Sequence, residues 1–342
     1  MPPAARRPTL SIVVPVYDEE GNVERLHDEL SRVAADIGAP YELIFVNDGS
    51  TDGTLARLET LLERDPNLHV VDLDGNFGEA AALSAGFEVA RGDVVVTLDG
   101  DGQNNPADIP RLLATLSDGV DVVSGRRRAR EEAFLTKVLP SWIANRLIAV
   151  ATGVPVYDCG CGLKAYRRAV VAEARLPRGM NRFLPAILGV EASRVAEVET
   201  VDRPRGSGRS HYGLSRVVVV LRDLVALPVL VRRPPPGRGV ARACAAAASV
   251  LAALGIVATV RESVLPAVVL GIAAAVALAI RHDVVRFVNA REDGVFRVRR
   301  LLYGGTSAEH RHRRSGILGE EPPADVQPSP RRAGYEPVRS RS

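Results

Sequence analysis

The chain has 342 residues, of which 46% are hydrophobic and 25% are charged, and its formal net charge is +3 at pH 7. This composition is typical of a globular protein and excludes a wholly disordered chain. It lacks the interleaved basic and aromatic residues of a nucleic-acid-binding surface. The 3 cysteines form no metal-ligand spacing, and an odd number argues against a disulfide framework, so we expect a reducing compartment.

The chain opens with a short polar stretch, residues 1–8, that has no apolar core of a secretory signal. We therefore expect the N-terminal domain to remain in the cytosol. Apolar runs at 10–16, 43–46, 69–73 and 94–98 are separated by helical patterns at 21–35, 54–63 and 79–90. This alternation predicts an α/β fold with a mostly parallel sheet and helices on both faces.

Polar residues follow each of the predicted strands directly. The clusters are Tyr17-Asp18-Glu19-Glu20, Asn47-Asp48-Gly49-Ser50, Asn76-Phe77-Gly78 and Asp99-Gly100-Asp101. Because the carboxyl ends of parallel strands meet at one edge of a sheet, the sequence predicts a ligand site there. Neither the G-x-G-x-x-G fingerprint nor the G-x-x-x-x-G-K-[ST] loop is present, so hydride transfer and P-loop chemistry are unsupported.

Asp99 and Asp101 stand one residue apart at the end of the fourth strand. Side chains at i and i+2 of an extended segment point the same way, so the two carboxylates could share a cation. The alternative is an ordinary turn, because Asp and Gly are common strand terminators. This sequence has no glycine-rich phosphate loop, so a bound diphosphate would have to be neutralised in another way, for which a divalent cation held by carboxylates is suited. This favours the metal hypothesis.

Arginines are concentrated in two further loops. A helix at 109–116 and a strand at 120–124 lead into the run 125–130, where a solvated face and a diphosphate-binding role are the alternatives. A helix at 140–153 and a glycine-rich loop containing Asp158 follow, before a further helix. The strand at 195–201 ends in the loop 202–213, which suits a second anion or is simply a mobile surface loop.

The remaining sequence indicates membrane attachment. Residues 214–231 are amphipathic, and the nearly uncharged stretches 239–260 and 264–280 predict two spans, with a buried hairpin of a soluble domain as the alternative. Arginines outside both stretches predict that both ends face the cytosol. We divide the chain into a catalytic domain (1–212), an interfacial helix (213–233), a transmembrane hairpin (239–281) and a basic, largely disordered cytosolic tail (282–342).

Together these motifs resemble family 2 glycosyltransferases of the GT-A fold, specifically the polyprenyl-phosphate (dolichyl-phosphate) mannose and glucose synthases. The matching stretches are VVPVYDEEGN, VNDGSTDGT, GNFGEAAALSAGF, TLDGDGQNNP, DCGCGLKAYRR, NRFLPAI and RPRGSGRSHYG. The resemblance implies a Rossmann-like GT-A sheet, Mg²⁺ or Mn²⁺ as cofactor, and inverting transfer of mannose or glucose. GDP-mannose or UDP-glucose would be the donor, and a polyprenyl monophosphate the acceptor, at the cytosolic face of the inner membrane.

The resemblance also implies roles for individual residues. Those implied for the nucleotide pocket are Pro15, Tyr17, Glu19, Asp48 and Asp99. Those implied for the metal are Asp99, Asp101 and Gln103, and the catalytic group is Asp99, Asp101, Asp158 and Arg126. Those implied for the diphosphate or acceptor phosphate are Arg126, Arg130, Arg203, Arg209 and Ser210. Many relatives have Lys where this chain has His211.

Two other functions stay open at this stage. One is a glycosyltransferase with a different acceptor, and the other is a catalytically inactive nucleotide-sugar-binding scaffold at the membrane. A processive polysaccharide synthase is disfavoured because the Q-x-x-R-W motif is missing. No nucleic-acid partner is expected, and homo-oligomerisation is left open.

Overall fold

The centre of the molecule is one eight-stranded mixed sheet. A computed structural model describes residues 8–117, 119–127, 158, 160–203, 225–227, 229–230, 237–261, 263–292 and 294–305. The strands are β1 (Leu10–Val16), β2 (Tyr41–Asn47), β3 (Leu68–Leu73), β4 (Val94–Thr97), β5 (Val122–Arg127), β6 (Lys164–Arg167), β7 (Val195–Thr200) and β8 (Val298–Tyr303). Their order across the sheet is β7-β5-β6-β4-β1-β2-β3-β8.

Helices cover both faces of the sheet. They are α1 (Val23–Ile37), α2 (Thr54–Leu62), α3 (Glu79–Val89), α4 (Ile109–Thr115), α5 (Arg168–Val171), α6 (Leu184–Ile187), α7 (Arg238–Val260) and α8 (Val264–Glu292). Short 3₁₀ turns lie at Pro106–Asp108, Met180–Phe183 and Ala192–Arg194. Alternate residues of β1 enter opposite cores: Ile12 packs with α1, α2 and α4, whereas Val13 packs with α3. The predicted α/β architecture is confirmed.

The sheet is less parallel than the alternation of elements predicts. Strands β1, β2, β3 and β4 pair in parallel, as do β5 and β7. Segment 164–167, which we expected to lead into a helix, is instead strand β6, antiparallel to both β4 and β5. Ala165 and Tyr166 of β6 are both buried, in the cores on opposite faces. Burial on both faces explains why so short a segment becomes a central strand.

The C-terminal part also differs from the sequence-based division. Helix α8 continues to Glu292 instead of ending near 281, and β8 adds to the sheet antiparallel to β3. The buried carboxylate of Asp72 on β3 lies 3.2 Å from Arg300 Nε and 3.7 Å from Arg299 Nη1, which compensates its charge. The described residues between 282 and 305, which the sequence-based division assigns to the tail, thus contribute the end of α8 and strand β8, and disorder of the remaining tail stays a prediction. Residues 306–342 lie outside the described part.

Helices α7 and α8 form an antiparallel pair with small residues on the contact face. The buried residues of α7 are Ala241, Ala248 and Gly255, which are seven residues apart and therefore share one face. By length and composition, Arg238–Val260 and Val264–Ala290 could each cross a membrane. Only 11% and 6% of their most apolar windows are buried, which disfavours a buried hairpin in a soluble domain.

The base of this hairpin packs against the sheet domain. Phe287 and Val288 of α8 join Met180 and Phe183 in one buried cluster. Arg286 of the same helix pairs with the buried carboxylate of Asp283, Nη1 to Oδ1 at 3.0 Å. The apolar cluster therefore fixes the hairpin to the α/β domain, and the ion pair within α8 orients Arg286 at this interface.

A polar path runs from this base to the loop after β3. The second guanidinium nitrogen of Arg286 donates to the backbone carbonyl of Arg178. Arg178 in turn donates from Nη2 to Asn76 Oδ1 at 3.0 Å. The hairpin base is therefore in hydrogen-bond connection with one of the loops at the carboxyl edge of the sheet.

A buried carboxylate near the amino ends of the strands stabilises the fold. Glu42 Oε1 accepts hydrogen bonds from Ser11 Oγ and the Arg91 backbone N–H, both at 2.6 Å, and Oε2 accepts one from Arg91 Nε at 2.9 Å. Burial alone would raise the pKa of Glu42, but the hydrogen bonds from His69 and Ser11 and the charge of Arg91 outweigh it. They lower the pKa of Glu42 to about 2.

We expect Glu42→Gln to lower the free energy of unfolding by about 3 kcal/mol at pH 7, since a fall in pKa from 4.5 to about 2 is worth that order. Because the folded pKa lies below the ordinary value, the stabilisation is present above about pH 4.5 and is lost as the pH falls towards 2. Denaturant unfolding at pH 7 and pH 3 measures both effects. Glu173→Gln on the exposed surface is the matched control, and an equal difference at the two pH values would contradict this explanation.

Candidate active site

The loops after β1 and β2 meet at the carboxyl edge of the sheet, as the sequence predicts. The Asp48 backbone N–H donates to the Val16 carbonyl at 2.9 Å. Asp18 has a left-handed backbone with φ of 54°, and its Oδ1 accepts the Thr51 backbone N–H at 2.7 Å. Asp tolerates this conformation better than most residues because its short side chain can hydrogen-bond locally. The two loops therefore form one continuous wall.

Asp48 connects this wall to the loop after β3. Its two carboxylate oxygens accept the backbone N–H groups of Phe77 and Gly78 at 2.7 and 2.8 Å. Burial raises the pKa of Asp48, and these two hydrogen bonds oppose the increase. The nucleotide contact implied for Asp48 stays a prediction. In the structure this carboxylate fixes the backbone of the loop 76–78 through its two hydrogen bonds.

The other residues implied for the nucleotide pocket lie on the first loop. Pro15 is buried at the end of β1, and Tyr17 is 37% exposed at the open edge. Glu19 accepts a hydrogen bond from Asn22 Nδ2 at 2.6 Å, and its backbone N–H donates to Thr54 Oγ1 at 2.8 Å. An aromatic ring at the edge beside a fixed carboxylate could contact a ligand.

The segment from Asp99 to Asn104 is a compact turn at the end of β4. The Asp99 backbone N–H donates to Asn104 Oδ1 at 3.0 Å, and the Gln103 N–H donates to Asp101 Oδ1 at 3.1 Å. The turn and metal interpretations of the sequence are therefore compatible. The turn positions both carboxylates at the same edge as the loops after β1 and β2.

Gly162 lies directly against the carboxyl group of Asp99. A Cβ atom at position 162 would lie 2.2 Å from Oδ1, 2.3 Å from Cγ and 2.4 Å from Oδ2 of Asp99. The Gly162 carbonyl also accepts a hydrogen bond from Thr97 Oγ1 at 2.9 Å. The loop before β6 thus packs directly against the Asp99 carboxyl group, and the space at position 162 fits only glycine.

The electrostatics around Asp99 fit a divalent cation. Burial raises the pKa of Asp99 to about 8, and the negative charges of Glu79 and Asp101 contribute, whereas Lys164 and Arg127 oppose the increase. Such an excess of buried negative charge is relieved by a bound cation. Among the described residues, no group of three or more His, Cys, Asp or Glu side chains is arranged to hold a metal. Mg²⁺ is usually bound by one or two protein carboxylates, and substrate phosphates complete its coordination.

The buried arginine of the site is Arg127. Its Nε and Nη2 donate to Asp158 Oδ2 and Oδ1 at 2.6 and 2.8 Å, a bidentate pair in which both side chains are largely buried. Burial alone would raise the pKa of Asp158, but the hydrogen bonds and charge of Arg127 outweigh it and lower this pKa. Arg126, which the resemblance selects, is half-exposed and lies 3.8 Å from Glu199 Oε1. Successive residues of β5 face opposite sides of the sheet, so Arg126 and Arg127 cannot both face Asp158. This alternation is the sequence signal that could have separated the two arginines.

Arg203 is held by protein groups. Its Nη1 lies 2.5 Å from Glu29 Oε2 and its Nη2 lies 2.5 Å from Asn105 Oδ1, while its backbone N–H donates to the Gln103 carbonyl at 2.7 Å. These contacts connect the chain after β7 to the turn that carries Asp101. The phosphate contact implied for Arg203 stays a prediction. Arg130, Arg209, Ser210 and His211 lie outside the described residues.

Lys164 is a residue of the site to which the sequence assigned no role. This side chain at the start of β6 is buried, its Nζ donates to the Cys161 carbonyl, and its charge opposes the raised pKa of Asp99. The only signal in the sequence was a lysine next to apolar residues in a chain whose other basic residues are almost all arginines.

We expect Gly162→Ala to reduce catalytic activity by roughly 10- to 100-fold, because the new methyl group must displace the Asp99 carboxyl and small displacements of reacting groups are that costly. Steady-state kinetics measures the effect. Gly75→Ala is the control, since the only heavy atom within 4 Å of its added Cβ is Phe77 Cε2 at 3.9 Å. Equal activities of the two variants would rule out the packing of Asp99 on Gly162.

This mixed sheet, with its Asp-x-Asp turn at the carboxyl edge, has the GT-A-like fold of glycosyltransferases. The model of the family described as Glycosyl transferase family 2 matches residues 11–175. The dodecaprenyl-phosphate galacturonate synthase of Rhizobium johnstonii is 38% identical over 227 residues, 65% of this chain and 67% of that protein. The chain belongs to glycosyltransferase family 2.

Other comparisons agree with this assignment. An undecaprenyl-phosphate 4-deoxy-4-formamido-L-arabinose transferase of Pseudomonas aeruginosa is 36% identical over 217 residues, covering 63% of this chain and 64% of that protein. Glucosyl-3-phosphoglycerate synthase of Mycobacterium tuberculosis, solved with Mn²⁺, UDP-glucose and phosphoglyceric acid, superposes with a TM-score of 0.52 at 21% identity. That superposition covers 66% of this chain and 79% of the solved chain and supports the fold.

Proposed function

We propose that this enzyme transfers a sugar from a nucleoside diphosphate to a polyprenyl monophosphate at the cytosolic face of the inner membrane. The observation that carries the proposal is the hairpin of α7 and α8, which is long and apolar enough to span a bilayer and is packed directly on the catalytic domain. The names of both family relatives refer to polyprenyl phosphates. A polyprenyl chain stays in the bilayer, so an enzyme anchored beside it meets the phosphate in two dimensions.

The residues of the site divide the chemical work as follows. The acceptor phosphate is already ionised near neutral pH, so the reaction needs no strong general base, and direct displacement inverts the anomeric centre. Asp99, Asp101 and Gln103 would hold Mg²⁺ or Mn²⁺ together with the donor diphosphate. The cation, when bound, neutralises charge on the departing diphosphate. The enzyme then has to align the two substrates and exclude water.

Asp158 has a supporting role in this account. Both of its carboxylate oxygens are bonded to Arg127, and its pKa is lowered, so it is a poor proton acceptor at neutral pH. It holds Arg127 in the interior, where the guanidinium opposes the raised pKa of Asp99. We therefore favour a positioning role for Asp158 over direct contact with a sugar hydroxyl.

The identity of the sugar is the open part of the proposal. The resemblance implies mannose or glucose, whereas the two relatives are named for galacturonate and for 4-deoxy-4-formamido-L-arabinose. A structural neighbour is named glucosyl-3-phosphoglycerate synthase and was solved with phosphoglyceric acid bound. The test must therefore vary both the donor and the acceptor.

Radiolabelled GDP-mannose, UDP-glucose, UDP-N-acetylglucosamine and UDP-galacturonate are each incubated with the full chain in detergent, with Mn²⁺ or with a chelator. Undecaprenyl phosphate and 3-phosphoglycerate are the two acceptors. We expect label in the lipid from one donor, only with metal. Label in 3-phosphoglycerate alone would establish a soluble acceptor, and nucleotide binding without transfer from any donor would favour the inactive scaffold.

A further inference from the structure

We propose that the base of the hairpin contains a binding site for the phosphate group of a membrane lipid, separate from the catalytic edge. The inference rests on the proposed insertion of α7 and α8 into the membrane. A cavity of about 470 Å³ lies between the two helices at their base. Its polar lining consists of Arg238, Arg242, Arg281 and Asn289, and Ala245 and Val285 are among its apolar residues.

Two of these arginines have charge to offer a ligand. Arg238 is paired with Glu292, Nη2 to Oε2 at 2.5 Å. Within the described part of the chain, neither Arg242 nor Arg281 forms an ion pair, and both are exposed. The nearby carboxylate of Asp283 is buried and bonded to Arg286. The lining of the cavity therefore offers two guanidinium groups, and guanidinium groups bind phosphate oxygens well.

The depth of the cavity matches the headgroup region of a bilayer. Residues 243–260 and 264–280 contain no Asp, Glu, Lys or Arg, and Arg261 and Ser263 lie at the tip of the hairpin. At 1.5 Å per residue, Arg242 and Arg281 are both about 27 Å from that tip. The hydrocarbon core of a bilayer is about 30 Å thick. With the tip at the far interface, both arginines reach the phosphate layer on the side of the catalytic domain.

The lining offers more than electrostatic attraction between arginines and an anionic membrane surface. Arg242 and Arg281 come from different helices, so one phosphate bound between them bridges α7 and α8. The apolar side chains of Ala245 and Val285 lie beside them and would contact the first methylene groups of the lipid. The same chemistry fits an anionic phospholipid and the polyprenyl phosphate itself.

The test compares the wild-type chain with the double variant R242Q/R281Q. Native mass spectrometry of the full chain in detergent measures the affinity for phosphatidylglycerol, with phosphatidylcholine as the neutral reference. We expect the double variant to bind phosphatidylglycerol at least about tenfold more weakly, since two charge-assisted hydrogen bonds are lost. R261Q at the hairpin tip is the matched control and should bind like the wild type.

A second measurement distinguishes the two lipid sources. If the site takes the polyprenyl phosphate, the KM for undecaprenyl phosphate rises in R242Q/R281Q while kcat is retained. If the site takes phospholipid, phosphatidylglycerol binding falls and this KM is unchanged. Unchanged lipid affinity together with an unchanged KM, in a variant that binds the nucleotide normally, overturns the site. Lipid binding is measured without a sugar donor, so failure of the proposed transfer reaction would remove the KM comparison but leave the phosphatidylglycerol affinities as the test of the site.

Discussion

Asp101→Asn is expected to reduce sugar transfer by at least about 100-fold, because it removes a carboxylate that would hold the cation at the departing diphosphate. The fold should be retained. Asp101 Oδ1 accepts the Gln103 backbone N–H at 3.1 Å, and an asparagine oxygen can accept the same hydrogen bond. The negative charge of Asp101 also contributes to the raised pKa of Asp99, so its removal relieves repulsion between the two carboxylates.

Transfer kinetics and thermal unfolding of the same preparation measure these two effects. Asp36→Asn, an exposed position in α1 away from the carboxyl edge, is the matched control and should keep full activity. Binding of the nucleotide in the presence of Mn²⁺ should weaken in Asp101→Asn and not in the control. A variant that transfers sugar at the wild-type rate would remove Asp101 from the metal site.

Arg127→Gln is expected to lower the free energy of unfolding by about 3 kcal/mol or more, because it leaves the buried carboxylate of Asp158 without its charged partner. The side chains of Arg127 and Asp158 are only 17% and 14% exposed, so solvent screens the pair weakly. Loss of the guanidinium also removes a charge that opposes the raised pKa of Asp99. We therefore expect activity to fall together with stability.

The neighbouring substitution Arg126→Gln provides the comparison. Arg126 is half-exposed and its contact with Glu199 is long, at 3.8 Å, so the free energy of unfolding should change by less than about 1 kcal/mol. Denaturant unfolding of both variants at pH 7 gives the two differences. Similar losses of stability for Arg126→Gln and Arg127→Gln would show that the Arg127–Asp158 pair is not the buried contact described here.

The first half of the sheet could be predicted because its signals are local. Strands β1 to β4 and the helices between them follow from hydrophobic period, and the polar clusters fall at strand ends. Strands β6 (KAYR) and β8 (VRRLLY) could not be predicted in this way, since neither is a continuous apolar run and each is defined by its partners. Tyr166 on β6 lies opposite Val95 on β4, and Leu302 on β8 lies opposite Val70 on β3, far away in sequence.

In the candidate site, too, only the features that depend on local sequence could be predicted. The Asp99–Asp101 pair is visible as a motif, and the turn that orients it is local. The choice between Arg126 and Arg127 depends on which face of β5 meets Asp158, and the contacts of Arg203 depend on Glu29 of α1, which is remote in the chain. Lys164 approaches Asp99 only because β6 inserts beside β4. These assignments required tertiary structure.

The central claim, glycosyl transfer to a polyprenyl monophosphate, is tested most directly by the mass of the lipid product. The full chain is incubated with undecaprenyl phosphate, Mn²⁺ and the donor that supports transfer, and the lipid is extracted for mass spectrometry. Our account predicts a gain of one glycosyl residue on a lipid that keeps a single phosphate. A lipid diphosphate carrying the sugar, or a lipid of unchanged mass beside a glycosylated soluble acceptor, would contradict it.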